Sequence, residues 1–130
     1  MAQVAREGGV PVIADESVRT DDDLSRVLAA RAAHGVNLKL AKSGGLLAAL
    51  ALGERARAHG LQVMCGGMVE TRLGMTAMAH VACALGGVEY VDLDTAFLLA
   101  EERFEGGYEA RGAELTLSGG AGLGVVERGA

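Results

Sequence analysis

One amine and three carboxylates occupy similar places in the sequence, each inside or directly after a short apolar stretch. Asp15 ends PVIAD, Lys39 lies within VNLKLA, and Asp92 and Asp94 close VEYVDLD. Alternate side chains of a strand point to opposite faces, so Asp92 and Asp94 share one face. A lysine among buried neighbours is costly unless it is paired or faces a wet cavity. The pattern leaves two interpretations of Lys39: a solvated lysine on an edge strand, or an amine directed into a site with the carboxylates.

The elements that carry these side chains alternate regularly along the chain. Three helical patterns are present. The first begins at the acidic run 21–23 and ends at Gly35, the second begins after Ser43-Gly44-Gly45 and ends at Gly60, and the third spans about 71–85 and ends at Gly86. Strand–helix alternation of this kind predicts repeated βαβ units in a parallel sheet, hence the α/β class. The four predicted strands are residues 10–15, 36–41, 61–66 and 88–94.

The candidate residues fall at or near the carboxyl ends of these strands. In a parallel α/β barrel, catalytic groups gather at that end of the strands. After Asp94 the alternation stops, and a glycine-rich tail is typical of short antiparallel strands and turns. We therefore expect one rim of the sheet to hold all the candidate chemistry.

Bulk composition excludes several classes of function. The net charge is −5, with no long basic run, which argues against a nucleic-acid partner. The longest apolar run is far too short for a membrane span, and no signal peptide is indicated. Cys65 and Cys83 fit no metal-binding spacing, so we expect reduced, buried thiols and a cytoplasmic location.

Four motifs in order resemble one family. PVIADES, LKLAKSGG, GGMVE and VDLD, spread from Pro11 to Gly124, resemble the enolase superfamily, specifically its muconate lactonizing subgroup and most closely the dipeptide epimerases. The resemblance implies the carboxy-terminal half of a modified TIM (β/α)7β barrel. Residues 1–95 would be the last four strands with three helices between them, and residues 96–130 a tail packed on an amino-terminal capping domain.

The resemblance also implies roles for the four residues. Asp15 would be a ligand of Mg²⁺, and Lys39 would transfer a proton at the carbon α to a carboxylate, as one of two lysines on opposite sides of that carbon. A metal ion stabilises the enediolate that such chemistry forms. As a base, Lys39 would need a lowered pKa. Asp92 and Asp94 would bind the free ammonium of a dipeptide.

Neighbouring residues receive smaller roles. We expect Glu16 to contact a lysine amine without contacting the substrate itself. We expect Lys42 to be structural or solvated, on the face opposite Lys39. The three histidines are predicted to lie on helices, away from the rim, and to have no role in the chemistry: His34, His59 and His80.

The departures from the family pattern are as informative as the matches. The second catalytic lysine, two further carboxylate ligands and the capping domain have no counterpart in these residues. We therefore expect the chain to bind Mg²⁺ very weakly and to be inert, or nearly so, by itself. Alternatives are a muconate cycloisomerase, an o-succinylbenzoate synthase or an N-acylamino acid racemase. Another alternative is a non-catalytic half-barrel that assembles with itself or with a partner subunit. The expected macromolecular partners are the missing amino-terminal half of the barrel, or a second copy that pairs through the open sheet edges.

Overall fold

The chain folds around a four-stranded parallel sheet whose strands follow the order of the sequence. A computed structural model describes residues 1–129. The strands are β1 (Ile13–Ala14), β2 (Gly35–Leu38), β3 (Gln62–Gly66) and β4 (Tyr90–Asp92). The helices are α1 (Ala2–Glu7), α2 (Asp21–Ala30), α3 (Leu40–Ser43), α4 (Leu46–Ala58) and α5 (Arg72–Leu85), and a 3₁₀ helix spans Thr95–Leu98. The predicted α/β class with parallel strands is confirmed.

Helices cover one face of the sheet and form the core with it. Alternate strand residues point toward the helices, and these are fully or almost fully buried: Ala14, Val36, Leu38, Val63 and Cys65. Aliphatic and methionine side chains of α2, α4 and α5 complete the core. Alternation places Asn37, Met64 and Tyr90, which lie side by side in the strand register, on the opposite face. We call this opposite face the inner face.

Helix α2 begins where the acidic run predicts but ends earlier than expected. The Thr20 side chain accepts a hydrogen bond from the Asp23 amide, and the Asp23 carboxylate accepts one from the Thr20 amide, which together form a capping box. The helix stops at Ala30, and Arg31 adopts the left-handed conformation that the sequence assigned to Gly35.

His34 therefore lies in the segment between α2 and β2, and the prediction that it lies on a helix is wrong. Its Nδ1 accepts a hydrogen bond from the Val12 amide at 2.9 Å, and its own amide donates to the Val12 carbonyl at 2.7 Å. These two bonds join the residue just before β1 to the residue just before β2. The glycine at 35 begins β2 instead of capping α2.

The tail forms two antiparallel strand pairs, as its composition predicts. Strand β5 (Phe104–Gly106) pairs with β8 (Val125–Glu127), and β6 (Tyr108–Arg111) pairs with β7 (Glu114–Leu117). Arg72, the first residue of α5, donates to the carbonyls of Gly106 and Tyr108 at 2.8 Å each, and its guanidinium lies 4.2 Å from the centroid of the buried Tyr108 ring. The tail thus packs on α5; its contact with a capping domain stays a prediction.

The two cysteines differ in their surroundings. Cys65 is buried beneath the helices, whereas Cys83 is exposed on α5, so the expectation of two buried thiols is wrong for Cys83. Helix α5 buries the residues that face the sheet, and position 83 falls outside that face. None of the helices in residues 1–129 is both long and apolar enough to cross a membrane.

Candidate active site at the carboxyl ends of the strands

Lys39 lies directly after β2 instead of in the middle of a strand. The predicted strand over 36–41 is too long, because the amides of Lys42 and Ser43 donate to the Lys39 carbonyl at 3.1 and 2.9 Å and close a helical turn. Lys39 itself keeps an extended backbone. It therefore continues the alternation of β2, and its side chain shares the inner face with Asn37.

Asp15, directly after β1, accepts hydrogen bonds from three side chains. Its Oδ2 lies 2.9 Å from the Lys39 Nζ and 3.0 Å from the Asn37 Nδ2, and its Oδ1 lies 2.8 Å from the Lys42 Nζ. The structure thus unites Asp15 and Lys39, which 24 positions separate in the sequence. Of the two interpretations of Lys39, the geometry agrees with the amine directed toward a carboxylate.

Lys42 is structural, one of the two expected alternatives, but it is not solvated and does not lie on the face opposite Lys39, so those parts of the expectation are wrong. Its side chain is only 8% exposed, and its ammonium donates both to the Asp15 carboxylate and to the Asp15 backbone carbonyl. The expectation extended the two-residue period of a strand through position 42. Because the chain turns helical after Lys39, residues three apart lie on the same side instead.

Two further polar residues complete this cluster. Glu16 lies 3.3 Å from the Lys39 Nζ, in the supporting position that the sequence predicts. Asn37 has no predicted role, although a polar residue that alternates with Lys39 on one strand face is a signal for it. The Asn37 side chain is almost fully buried, and its Oδ1 has no hydrogen-bond partner among residues 1–129.

Asp92 lies on the inner face, two strands away from Lys39. Leu38 pairs with Cys65, and Gly66, the next residue of β3, pairs with Asp92. Lys39, Gly66 and Asp92 therefore form one row across the sheet. Neighbouring strands lie about 4.8 Å apart, so the backbones of Lys39 and Asp92, two strands apart, are separated by about 10 Å. A dipeptide could span this distance.

Asp94 follows β4 and immediately precedes the 3₁₀ helix. Together with Asp92 it lines an open cavity of about 460 Å³, which Phe97 and the turn between β6 and β7 also border. Within residues 1–129 neither aspartate carboxylate has a hydrogen-bond or ion-pair partner. The cavity thus offers two unengaged carboxylates close to the row that contains Lys39.

Burial and pairing act in opposite directions on the ionisable groups. Burial, the largest single influence on Asp15, acts to raise its pKa, but the hydrogen bonds from Lys39 and Lys42 outweigh it and the pKa is lowered. The pKa of Lys39 is raised, chiefly by its hydrogen bond to Asp15. Burial lowers the pKa of Lys42, because it outweighs the attraction of the same carboxylate. The direction at Lys39 is opposite to the one expected of a base, and the Asp15 carboxylate is the cause.

The described residues do not by themselves form a Mg²⁺ site. A carboxylate such as Asp15 is a ligand that Mg²⁺ accepts, but both of its oxygens are bonded to ammonium groups. No group of three or more potential ligands occurs among the side chains of residues 1–129. Because each Asp15 oxygen already accepts from an ammonium group, an ion coordinated there would lie beside a positive charge, which disfavours binding.

Comparison with known proteins identifies the family of this chain. Residues 1–128 match the family of enolase C-terminal domain-like proteins. The chain belongs to this family. It is 42% identical to an aromatic dipeptide epimerase from Herpetosiphon aurantiacus over 125 residues, which cover 96% of this chain and 35% of that protein. It is 38% identical to an L-Ala-D/L-Glu epimerase from Bacillus subtilis over 116 residues, which cover 89% of this chain and 32% of that protein.

A solved structure shows the same backbone. The dipeptide epimerase from Cytophaga hutchinsonii, solved with Mg and the dipeptide D-Ala-L-Val, superposes with a TM-score of 0.91 at 31% identity, over 98% of this chain and 35% of that one. The chain therefore spans about a third of the length of these relatives. Its sheet and helices correspond to the carboxy-terminal half of the family's barrel.

Proposed function

We propose that the chain supplies part of the active site of a dipeptide epimerase, an isomerase that moves a proton at the carbon α to a carboxylate. The observation that carries this proposal is the placement of Lys39 against Asp15 on the inner face, in one row with Asp92. Relatives named as dipeptide epimerases support it at 42% and 38% identity.

Lys39 would exchange a proton with the substrate on one side of the α-carbon. A neutral amine can accept a proton there, whereas the ammonium bonded to Asp15 and Glu16 can only donate one. The transfer from carbon therefore requires that these two carboxylates release Lys39 before the base acts. The only other lysine of the chain, Lys42, bonds the far side of Asp15, so a group other than Lys42 would serve the opposite side of the carbon.

Asp92 and Asp94 would bind the free ammonium of the dipeptide. They lie on the wall of one cavity, and both carboxylates lack competing partners in the described part of the chain. A carboxylate pair stabilises a single cation through charge-assisted hydrogen bonds. This assignment distinguishes dipeptides from substrates that lack an ammonium.

A chimera tests the proposal. The segment of the Bacillus subtilis epimerase that aligns with this chain would be replaced by residues 1–130, and deuterium incorporation at the α-carbon of L-Ala-L-Glu would be followed by proton NMR in D₂O. We expect exchange and epimerisation by the chimera, and a loss of roughly 10²–10⁴-fold in kcat for Lys39→Ala, as is usual for a lost acid–base group. A folded chimera with no exchange would contradict the proposal.

The same chimera separates the dipeptide epimerases from other members of the superfamily. Asp92→Asn should raise the KM for L-Ala-L-Glu, because it removes a charge that the dipeptide ammonium requires. Unchanged dipeptide turnover in Asp92→Asn would favour a muconate cycloisomerase, an o-succinylbenzoate synthase or an N-acylamino acid racemase.

A second candidate is assembly of the sheet with another subunit. Both β1 and β4 are edge strands. Exposed apolar side chains lie on β4 and in the 3₁₀ helix that follows it, among them Tyr90, Val91, Phe97 and Leu98. Unpaired strand edges beside apolar surface favour association. Size-exclusion chromatography with light scattering measures this directly: a concentration-independent monomer would exclude self-assembly, and a stable dimer would support it.

A further inference from the structure

The chain contains only two lysines, Lys39 and Lys42, and both contact the same carboxylate. They approach it from different sides: Lys39 bonds Oδ2, and Lys42 bonds Oδ1. Asn37 donates a third hydrogen bond, to Oδ2 at 3.0 Å. Rotation of the Asp15 carboxylate would break all three, so its orientation is fixed by the whole set.

The contacts of Lys42 differ in kind from those of Lys39. Among the described residues, the Lys39 ammonium bonds only the side-chain carboxylates of Asp15 and Glu16. Lys42 donates to the Asp15 backbone carbonyl as well as to Oδ1. A bond to the backbone holds the segment after β1 in place even when the carboxylate changes partner. With 8% of its side chain exposed, Lys42 also has little access to substrate or solvent.

Helix α3 explains how Lys42 reaches this position. The turn that begins after Lys39 places Lys42 one helical turn away, on the side that faces the end of β1. Gly44, with a φ of 84°, then ends this short helix in a left-handed conformation and lets α4 start in a new direction. The segment KLAK thus delivers two amines to one carboxylate.

We propose that Lys42 is a positioning residue, which anchors Asp15 by its backbone and by Oδ1 so that Oδ2 is presented to Lys39. The proposal rests on the proposed function for its catalytic meaning, because it assigns different tasks to the two lysines. Lys42 stays bonded to Asp15, while Lys39 exchanges its partners during the reaction. Asn37 supports the same orientation from β2.

Two lysines make a direct test possible in the 130-residue chain. After ¹⁵N-lysine labelling, a proton–nitrogen correlation spectrum of the side-chain ammonium groups contains at most two signals. Ammonium groups that are held by carboxylates and shielded from water exchange their protons slowly enough to be observed, and free ones do not. We expect both signals in the wild-type chain, and Asp15→Asn should speed proton exchange of both, with Lys42 keeping its bond to the backbone carbonyl of residue 15 and Lys39 its bond to Glu16.

The decisive variants are Lys42→Met and Lys42→Arg. If Lys42 anchors Asp15, Lys42→Met should accelerate proton exchange of the Lys39 ammonium at least about tenfold, as expected for the loss of one charge-assisted hydrogen bond. Lys42→Arg, which keeps charge and donors, should keep the Lys39 exchange near the wild-type rate. A purely structural lysine would lower the unfolding midpoint in Lys42→Met without changing the Lys39 exchange, and this result would overturn the proposal.

Two further outcomes are also decisive. Absence of a Lys42 signal from the folded wild-type chain would show a solvated amine and would refute the anchoring role. If Lys42→Met does not fold, the comparison of Lys42→Arg with wild type still tests the anchoring role. A Lys39 exchange rate that differs by more than about tenfold between these two folded proteins would contradict it, because the arginine keeps the charge and the donors. None of these measurements requires epimerase activity, so failure of the proposed function is detected separately.

Discussion

Gly66 of β3 lies directly against the side chain of Asn37 on the neighbouring strand β2. A Cβ atom added at Gly66 would stand 2.8 Å from the Asn37 Oδ1 and 3.0 Å from its Nδ2. The absence of a side chain at position 66 therefore creates the space that the Asn37 amide occupies, and from there Asn37 donates to Asp15. Gly66, which the sequence marks only as a strand end, thus supports the orientation of a carboxylate two strands away.

Gly66→Ala should destabilise the chain by about 1–3 kcal/mol, the usual cost of a forced overlap in a packed interior. Urea unfolding followed by circular dichroism gives the free energy of unfolding. In an Asn37→Ala background the same substitution should cost much less, because the amide that it meets is absent. Equal costs in both backgrounds would show that Asn37 is not the group that Gly66 accommodates.

The capping box of α2 predicts a specific dependence of stability on pH. Hydrogen bonds from the Thr20 side chain, then from the backbone amides of Arg19 and Thr20, lower the pKa of Asp23 to about 2. Because the folded-state pKa lies below the unfolded value of 3.8, Asp23 stabilises the fold above pH 3.8, and this contribution disappears as the pH falls through about 2.

Asp23→Asn tests this dependence. The variant should unfold at lower urea concentration than wild type at pH 7, and the difference should shrink steadily between pH 4 and pH 2, the window set by the two pKa values near 3.8 and 2. Asp22→Asn, on the same turn but outside the capping box, is the matched control and should show no comparable effect. A difference that persists unchanged at pH 2 would contradict the assignment.

The alternation of elements and the join between Asp15 and Lys39 could be predicted from the sequence. Period-two and helical patterns are local, and parallel topology follows from their order. The 24-residue interval from Asp15 to Lys39 matches one strand–helix–strand unit, so the two residues lie at the ends of neighbouring strands. The strand pattern alone left Lys39 either solvated or directed toward the carboxylates, and the family resemblance favoured the second interpretation.

Lys42 and His34 could not be predicted in the same way. Each lies where one kind of local structure changes to another, so the periodicity used on one side of the change fails on the other. The partner of Lys42 is 27 residues away and that of His34 is 22 residues away. Such polar contacts depend on how elements meet, which hydrophobic patterning does not specify.

The Arg72 guanidinium, which donates two hydrogen bonds to β5 and β6, should stabilise the tail. Lys at this position keeps the charge but cannot donate to the carbonyls of Gly106 and Tyr108 at once while stacking on the Tyr108 ring. We expect Arg72→Lys to cost about 1–3 kcal/mol and to speed hydrogen exchange in β5 and β6. Arg103→Lys is the matched control, because within residues 1–129 the Arg103 guanidinium bonds only the exposed Glu127 carboxylate. Unchanged exchange in the tail of Arg72→Lys would contradict this role.

The two thiols should differ sharply in reactivity. Burial raises the pKa of Cys65 to about 12, whereas Cys83 is exposed. Because the thiolate is the reactive form, native protein at pH 8 should release one equivalent of thionitrobenzoate from Ellman's reagent, and a second only after unfolding. Cys83→Ser should abolish the rapid reaction. Rapid modification of two thiols in the folded chain would contradict the buried position of Cys65.

The 130-residue chain alone should neither bind Mg²⁺ measurably nor epimerise dipeptides. Mg²⁺ requires well-placed oxygen ligands, and Asp15 has both oxygens bonded to lysines, with no group of three potential ligands in residues 1–129. Isothermal titration should therefore show no saturable Mg²⁺ binding in the millimolar range. L-Ala-L-Glu should gain no deuterium at its α-carbon in the presence of the chain. Saturable binding of one ion that Asp15→Asn abolishes would show that the lysines yield the carboxylate to a metal without help from other residues.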